Sequence, residues 1–325
     1  MCYHLHIMSR ISKGKSVVAI GTFDGVHRGH QVILALLNEI AMKQGLQRVA
    51  YAFVFPPRLA VRGEERGLLL PEEAKIKLLK RYVDRVERVN FENVSSIAPD
   101  QFVRKALLGD LRAQAIVVGE NFRFGRDRAG DVALIREICK EESVSVVAVP
   151  PLVVDASPVS STRIRRLISA GMIEEAGLLL GRPPLLVGEI VHGDRLGRDL
   201  GHPTANLSID AQILLPKDGI YLAHAFWNGG KSPGLLYVGT RPTVNGTDRR
   251  CEVHLFAETS ATDMNKPTIF DDLYGKILEI QILRRLRDDR SFPSLVKLQR
   301  QMERDVERAR TLLATFDWPQ ERIVT

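Results

Sequence analysis

The segment VVAIGTFDGVHRGH, residues 17–30, decides how the first half of the chain folds. An apolar run is followed by a glycine-rich turn, which leads directly into residues 31–42, where apolar side chains recur at helical spacing. This order predicts a strand at 17–20, a turn and a helix, which is how a βαβ unit begins. Glycines let a backbone approach a phosphate closely, and a helix N-terminus presents unpaired N–H groups to an anion. The segment therefore predicts an anion-binding turn.

The rest of the first half repeats the alternation of strand and helix patterns. Further strands are expected at 48–55, 115–118 and 144–149, and helices at 71–82, 99–108, 133–140, 162–169 and 173–180. Strands that alternate with helices are typical of an α/β, doubly wound parallel sheet.

The pattern changes after Gly-Arg-Pro-Pro, residues 181–184. Short alternating runs separated by Gly, Pro, Asn and Asp clusters are typical of a β-barrel or sandwich. These runs lie at 185–191, 220–227, 234–239, 252–256 and 277–283. A helix at 294–316, with an N-cap at Ser291 or Ser294, is expected to pack across the barrel. The expected domains are therefore residues 1–184 and residues 185–325.

Composition supports two globular domains and points to an anionic partner for the first. The chain has 325 residues, 45% of them hydrophobic and 26% charged, as in ordinary globular proteins. Residues 1–184 carry 27 basic against 20 acidic side chains, whereas the remainder carries 19 of each. The excess favours a nucleic acid or a polyphosphate nucleotide, and composition does not choose between them.

The cysteines and apolar runs favour a cytoplasmic protein. Cys2, Cys139 and Cys251 are widely spaced, which predicts neither a disulfide framework nor a zinc site. No apolar run is long enough to span a bilayer, and residues 1–10 do not resemble a signal peptide.

His27 and His30 are the candidate catalytic side chains of the first half. Three residues apart in a first helical turn, they are expected to face the same space and to donate hydrogen bonds to a reacting phosphate. Zinc binding is disfavoured because no third or fourth ligand lies nearby. A solvated pair of histidines is the simplest structural alternative.

Two later segments have the composition of a nucleotide site. Asn121 and Arg126 lie in residues 118–126, which follow a strand, where α/β sheets place ligands; an ordinary basic loop is the alternative. Ser160, Ser161 and Thr162 supply hydroxyls at a helix start, which are also suited to capping that helix. Arginines just inside that helix, Arg163 first, oppose its dipole, and an anion would offset the mismatch.

Two motifs of the second half carry groups suited to binding Mg²⁺ and to accepting a proton. Thr204 and Asn206 alternate to one face of a short strand, where their oxygens would hold Mg²⁺ on a nucleotide, although turn chemistry also explains them. Glu252 and His254 share a face of a later strand. We expect Glu252 inside a barrel mouth, accepting a proton from an alcohol; a surface glutamate paired with Arg249 or Arg250 is the alternative.

In order and spacing, residues 21–30, 118–131 and 159–165 resemble the adenylyltransferase half of the bacterial bifunctional FAD synthetases, a Rossmann-like nucleotidyltransferase domain with an HxGH signature. The resemblance implies ATP contacts at Gly21, Phe23, Asp24, Gly25, His27, His30, Asn121, Arg126, Ser160, Ser161, Thr162 and Arg163. One departure is Pro57, which stands where the family usually has a histidine. That departure puts the rate of adenylyl transfer in doubt.

The second half resembles the riboflavin kinase module of the same family, a six-stranded barrel with a C-terminal helix. The resemblance implies Glu252 as the base for the riboflavin 5′-hydroxyl and Thr204 and Asn206 as residues that serve Mg-ATP. It also implies further ATP contacts at Gly193, Gly197, Gly201 and Pro203, and flavin contacts at Asp272, Tyr274 and Arg287. Residues 257–270 form an insertion relative to the family.

The resemblance of both halves implies a bifunctional enzyme of flavin cofactor synthesis. Riboflavin and ATP would give FMN in the second domain, and FMN and ATP would give FAD and pyrophosphate in the first, with Mg²⁺ at both sites. Small molecules are then the partners, with no nucleic acid or membrane, and the protein is a monomer or a weak homo-oligomer. The alternatives are a protein that retains only one activity and a basic nucleic-acid-binding protein.

Overall fold

The computed structural model describes residues 14–54, 67–90, 94, 96–192, 203–243, 246–256, 273–315 and 322–323. Contacts divide the chain into two units, which are described separately. The sheet unit comprises the described residues of Met1–Thr22, His30–Pro56 and Leu79–Pro151. The barrel unit comprises those of Phe23–Gly29, Pro57–Leu78 and Leu152–Thr325. The predicted domain boundary at residue 184 stays a prediction.

A five-stranded parallel sheet of order β3-β2-β1-β4-β5 forms the sheet unit. Its strands are β1 Ser16–Gly21, β2 Gln47–Val54, β3 Arg85–Asn90, β4 Ala113–Gly119 and β5 Ser145–Val149. The central strands are apolar along their length because both faces of such a sheet are covered. The predicted sheet is confirmed. Strand β3 was not predicted, since RVERVN alternates charged with apolar residues at a half-exposed edge.

Helices connect these strands. Helix α1 is Arg28–Gln44, α2 is Glu72–Leu79, α3 is Pro99–Gln101 continuing as a π-helix over Phe102–Asp110, and α4 is Val132–Glu141. Asp131 caps α4, because its carboxylate accepts the N–H of Leu134 at 3.0 Å. The four predicted helices at these places are confirmed, although α2 ends at Leu79 rather than at residue 82.

The barrel unit is built on a closed six-stranded barrel of order β10-β11-β12-β9-β8-β13 with antiparallel neighbours. Its strands are β8 Leu185–Val191, β9 Ala205–Ile209, β10 Gly219–Trp227, β11 Gly230–Thr243, β12 Gly246–Leu255 and β13 Ile277–Asp288. A short hairpin, β6 Val153–Val154 with β7 Ser157–Pro158, precedes them. The predicted barrel is therefore confirmed.

Alternation along the strands separates the two faces of the barrel. Alternate side chains form one buried apolar cluster inside it, to which Ala205, Cys251 and Val253 belong. A second cluster forms where helix α7, Leu295–Leu313, packs on the outer face, with Ala309 against Leu222, Leu235, Leu283 and Leu286. Ser294 caps α7 by accepting the N–H of Lys297 at 3.4 Å. The predicted helix across the barrel is confirmed.

The barrel unit also contains the helices α5, Ser161–Ala170, and α6, Ile173–Leu180, as predicted. They share an apolar cluster with Leu69, which precedes α2. The neighbouring Leu68 bridges to Ile213 of the barrel. No helix within the described ranges is long and apolar enough to cross a membrane.

Candidate active sites

The turn after β1 has an unusual backbone. Asp24–Val26 forms a single 3₁₀ turn, and Phe23, Gly25 and Val26 have φ angles of 51°, 79° and 41°. A Cβ on Gly25 would lie 2.7 Å from Cδ1 of Leu69, so a larger residue would strain the φ angle and require the Leu69 side chain to move. Phe23 is fully buried, and this turn is therefore fixed in the fold.

Asp24, predicted to contact ATP, is a buried carboxyl group whose partners lie within the protein. Its carboxylate forms an ion pair with Arg165 of α5 and accepts the N–H of Leu69 at 3.0 Å. Burial raises the pKa of Asp24, whereas Arg165 and this N–H lower it. The guanidinium of Arg165 also donates to the carbonyl of Gly67 at 2.8 Å. An anion was expected to offset the arginines near the start of α5. For Arg165, that anion is the carboxylate of Asp24.

The hydroxyls at the start of α5 hold the local fold. Ser160 is the N-cap and accepts the N–H of Arg163 at 3.2 Å, which confirms the capping alternative. Ser161 donates to the carbonyl of Asp24 at 2.9 Å, while Thr162 is half-buried. Arg163 donates to the carbonyls of Val154 and Ser157 at 2.8 and 2.9 Å. Of the predicted ATP contacts, Ser161 and Asp24 are therefore brought together.

His27 is buried and neutral at pH 7. Burial lowers the pKa of His27 to about 4, and the nearby charge of Arg182 acts in the same direction. Arg182 donates to the carbonyl of Gly25 at 2.7 Å. A Cβ on Gly29 would come within 3.2 Å of the His27 ring, so glycine leaves room for the imidazole. A neutral imidazole retains one N–H donor, which suits contact with a phosphate oxygen.

In the sheet unit, β1 and β4 are adjacent and end at Gly21 and Gly119, where the strand order reverses. Ligands of open α/β sheets bind outside the carboxyl ends of strands at such a point. Asn121 is exposed in the turn that follows β4. The guanidinium of Arg126 donates to the carbonyl of Ser96 at 3.0 and 3.1 Å. His30 lies in the first turn of α1 and is half-buried.

The second candidate site lies on β9 and β12. Asn206 and Glu252 are register partners, and the hydroxyl of Thr204 donates to Oε2 of Glu252 at 3.2 Å. Nδ1 of His254 lies 2.9 Å from the carbonyl oxygen of Pro203. The two predicted kinase motifs are therefore brought together. Hydroxyl, amide and carboxylate oxygens are ligands that fit Mg²⁺.

The prediction that Glu252 lies inside the barrel mouth is wrong. Its neighbours Cys251 and Val253 belong to the interior cluster, so the alternation places Glu252 on the outer face. Arg249, offered as a surface partner for this glutamate, instead forms an ion pair with Asp218 at 2.7 Å.

Register pairs extend this outer face from Glu252 through Tyr237 and Ile220 to Arg287. Nε of Arg287 donates hydrogen bonds to both carboxylate oxygens of Asp305, at 3.1 and 2.9 Å, and Asp305 is buried. This pair joins α7 to β13, so Arg287 has a structural partner as well as its predicted flavin contact. The ring of Tyr274 stacks on that of His192 with centroids 3.9 Å apart.

Several predictions fall on residues outside those described. These are Gly193, Gly197, Gly201 and Asp272, the departure at Pro57, and the insertion 257–270. Sequence reasoning in turn missed Arg165, Arg182 and Asp305 as partners of the site residues. The only signal for Arg182 was its place in the Gly-Arg-Pro-Pro segment, which marked the change of pattern between the two halves.

The chain combines two features. One is a parallel sheet whose first strand is followed by a glycine turn with His27, and the other is a six-stranded barrel with a Thr-Asn-Glu group. Together they are typical of enzymes that handle nucleotides. Residues 9–163 match the family model of FAD synthetase, and residues 180–313 match that of riboflavin kinase. The chain belongs to the family of bifunctional riboflavin kinase/FMN adenylyltransferases.

Curated relatives and a solved structure match nearly the whole chain. The bifunctional riboflavin kinase/FMN adenylyltransferase of Pseudomonas fluorescens is 35% identical, over 92% of this chain and 93% of that protein. The enzyme of that description from Escherichia coli K12 is 32% identical, over 94% and 95%. A crystal structure described as a macrolide-efflux protein from Streptococcus pneumoniae is 30% identical, with a TM-score of 0.80, over 92% and 95%.

These matches confirm the predicted family, the fold class and the enzymatic nature of the chain. Because both catalytic domains are present, they support the bifunctional interpretation over a single activity and over a nucleic-acid-binding protein.

Proposed function

We propose that this chain phosphorylates riboflavin with ATP and then adenylylates the resulting FMN to FAD. The observation that carries the proposal is that Thr204, just before β9, and Asn206 of β9 meet Glu252 of the adjacent strand β12, on a chain that also matches FAD synthetase. Riboflavin, FMN and ATP are then the small-molecule partners, and FAD is the final product. We place the boundary between the two activities at residue 184, with 1–184 as adenylyltransferase and 185–325 as kinase.

In the kinase step, the 5′-hydroxyl of riboflavin attacks the γ-phosphorus of ATP, and ADP leaves. Glu252 accepts the hydroxyl proton, because an alcohol is a poor nucleophile until that proton is removed. Thr204 and Asn206 would hold Mg²⁺, which neutralises charge on the transferring phosphoryl group when it is bound. The hydrogen bond from Thr204 orients the Glu252 carboxylate in the free enzyme.

In the adenylyl step, a phosphate oxygen of FMN attacks the α-phosphorus of ATP, and pyrophosphate leaves. The FMN phosphate is already ionised, so the protein needs to supply alignment and charge stabilisation rather than a base. We assign the donors to His27 and His30, and ATP binding to Gly21, Gly25, Asn121 and Arg126 with the residues at the start of α5. The buried Phe23 and Asp24 shape the turn.

Several further parts of the proposal rest on family resemblance. Asp272, Tyr274 and Arg287 would contact the flavin, and Gly193, Gly197, Gly201 and Pro203 the ATP of the kinase site. We also propose a cytoplasmic protein that acts as a monomer or weak homo-oligomer and binds no nucleic acid.

Product analysis tests the proposal. The purified chain is incubated with riboflavin, ATP and Mg²⁺, and the flavins are separated over time; FMN is expected first and FAD after it. A parallel incubation with EDTA is expected to stop both steps. Accumulation of FMN without FAD would leave only the kinase activity, and absence of both with salt-sensitive oligonucleotide binding would favour the nucleic-acid alternative.

A further inference from the structure

Arg182 reaches the histidine-bearing turn from a distant part of the sequence. It follows α6, directly after Gly181, and its guanidinium donates to the carbonyl of Gly25 at 2.7 Å. Arg182 lies within residues 180–313, which match riboflavin kinase, and outside residues 9–163, which match FAD synthetase. A residue that lies outside the FAD synthetase match, just before the proposed boundary at residue 184, therefore holds part of that match.

The turn that precedes His27, residues 23–26, needs support because its backbone is strained. Val26, a β-branched residue, has a φ of 41°; a conformation of this kind costs about 1–3 kcal/mol and persists only where its surroundings hold it in place. The turn is fixed through two adjacent residues. Arg165 pairs with the carboxylate of Asp24, Ser161 donates to the Asp24 carbonyl, and Arg182 donates to the Gly25 carbonyl. His27 follows immediately.

We propose that Arg182 is a positioning residue for adenylyl transfer: by holding the Gly25 carbonyl, it fixes the turn that places His27. This inference rests on the proposed role of His27. Arg182 is not required to contact ATP or FMN, and its effect is transmitted through two peptide units.

The charge of Arg182 serves the same end. It lowers the pKa of His27 in addition to the effect of burial, which keeps the imidazole neutral. Other charged side chains around Asp24 are matched in two ion pairs, Asp24 with Arg165, and Lys75 with Glu72 at 2.7 Å.

The test compares Arg182→Ala and Arg182→Lys in the full chain, with Arg166→Ala as the control, since Arg166 is an exposed arginine of α5. FAD formation from supplied FMN is measured as kcat and KM across pH, FMN formation from riboflavin is measured on the same preparations, and His27 is titrated by NMR.

Arg182→Ala is expected to lower kcat for FAD formation about 10- to 100-fold, the scale of a small misplacement of a catalytic group. It is also expected to raise the pKa of His27 above about 4. The acidic limb of the pH profile of FAD formation should therefore shift to higher pH. Riboflavin phosphorylation should stay within about twofold of wild type. Arg182→Lys should restore part of kcat because it keeps the charge and one donor. Arg166→Ala should match wild type.

Unchanged FAD formation in Arg182→Ala would overturn the inference, as would equal loss of both activities, which indicates a general structural role. An Arg182→Lys variant no better than Arg182→Ala in a protein of wild-type Tm would also contradict it. The proposed role of His27 is tested separately with His27→Ala: normal FAD formation there removes His27 from the site, whatever Arg182 does.

Discussion

The turn around His27 and the outer barrel face around Glu252 are built in opposite ways. Phe23, Asp24 and His27 are 0%, 3% and 6% exposed, and the turn depends on a buried ion pair and positive φ angles. Asn206 and Glu252 are half-buried and are placed by strand register. Substitutions in the turn should therefore affect stability and activity together, whereas substitutions on the barrel face should affect activity alone.

The largest expected effect on stability is that of Asp24→Asn. It leaves the charge of Arg165 buried without its carboxylate, which costs about 3–5 kcal/mol of unfolding free energy. Urea unfolding measures this loss. Glu39→Gln is the control, because Glu39 pairs with Lys43 on the surface with side chains 57% and 70% exposed, and it should leave the unfolding free energy unchanged within the error of the measurement. Equal losses of unfolding free energy in the two variants would mean that the buried ion pair of Asp24 is no more important than the surface pair.

The pH dependence of stability gives the next effect. The pKa of native His27 is about 4 against 6.5 for an ordinary histidine, so between these values the unfolded chain binds a proton that the native chain does not. Stability is therefore lost as pH falls from about 6.5 towards 4, by about 3 kcal/mol from this group.

Unfolding of wild type and His27→Gln at pH 7, 6, 5 and 4 isolates this contribution. The difference in unfolding free energy between the two proteins is expected to shrink as pH falls. A constant difference across this range would mean that His27 titrates normally.

A smaller effect is expected for Gly25→Ala, with Gly45→Ala as its matched control. Both glycines have positive φ, 79° and 64°, but a Cβ meets Leu69 only at Gly25 and open space at Gly45. Gly25→Ala should cost about 1–3 kcal/mol more than Gly45→Ala through overpacking. It should also slow FAD formation, which Gly45→Ala should leave unchanged. Equal stability and activity of the two variants would contradict the described turn.

The smallest stability effect is expected on the barrel face. Thr204→Val removes the hydroxyl that donates to Glu252 and should change the unfolding free energy by less than about 1 kcal/mol. It should raise the Mg²⁺ concentration needed for riboflavin phosphorylation and leave FAD formation from FMN unchanged. Ser208→Ala, at an exposed position of β9, the strand that Thr204 precedes, is the control. A large loss of stability in Thr204→Val would contradict the comparison.

The sequence predicted most elements because their patterns are local. It missed β3, where alternating charges on a half-exposed edge weaken the apolar signal. Glu252 was expected inside the barrel although its neighbours Cys251 and Val253 are apolar. Because a small closed barrel encloses its apolar face, the residue between these two neighbours lies on the outer face.

The contacts of the charged site residues were beyond sequence reasoning. Arg165 and Arg182 contact partners that lie 141 and 157 residues away in the sequence. Counting charged residues does not show which arginine pairs with which carboxylate or carbonyl group. From the sequence, an anion was expected to offset the arginines near the start of α5. For Arg165 that anion is Asp24, which was itself predicted to contact ATP.

The division of labour between the two sites is tested most directly by reciprocal variants assayed for both reactions. Glu252→Gln should lower riboflavin phosphorylation about 10²- to 10⁴-fold, as expected for loss of a general base, while FAD formation from supplied FMN stays within about twofold. His30→Ala should do the reverse. Parallel loss of both activities in either variant, or normal FAD formation in His30→Ala, would contradict two separate sites with these residues in them.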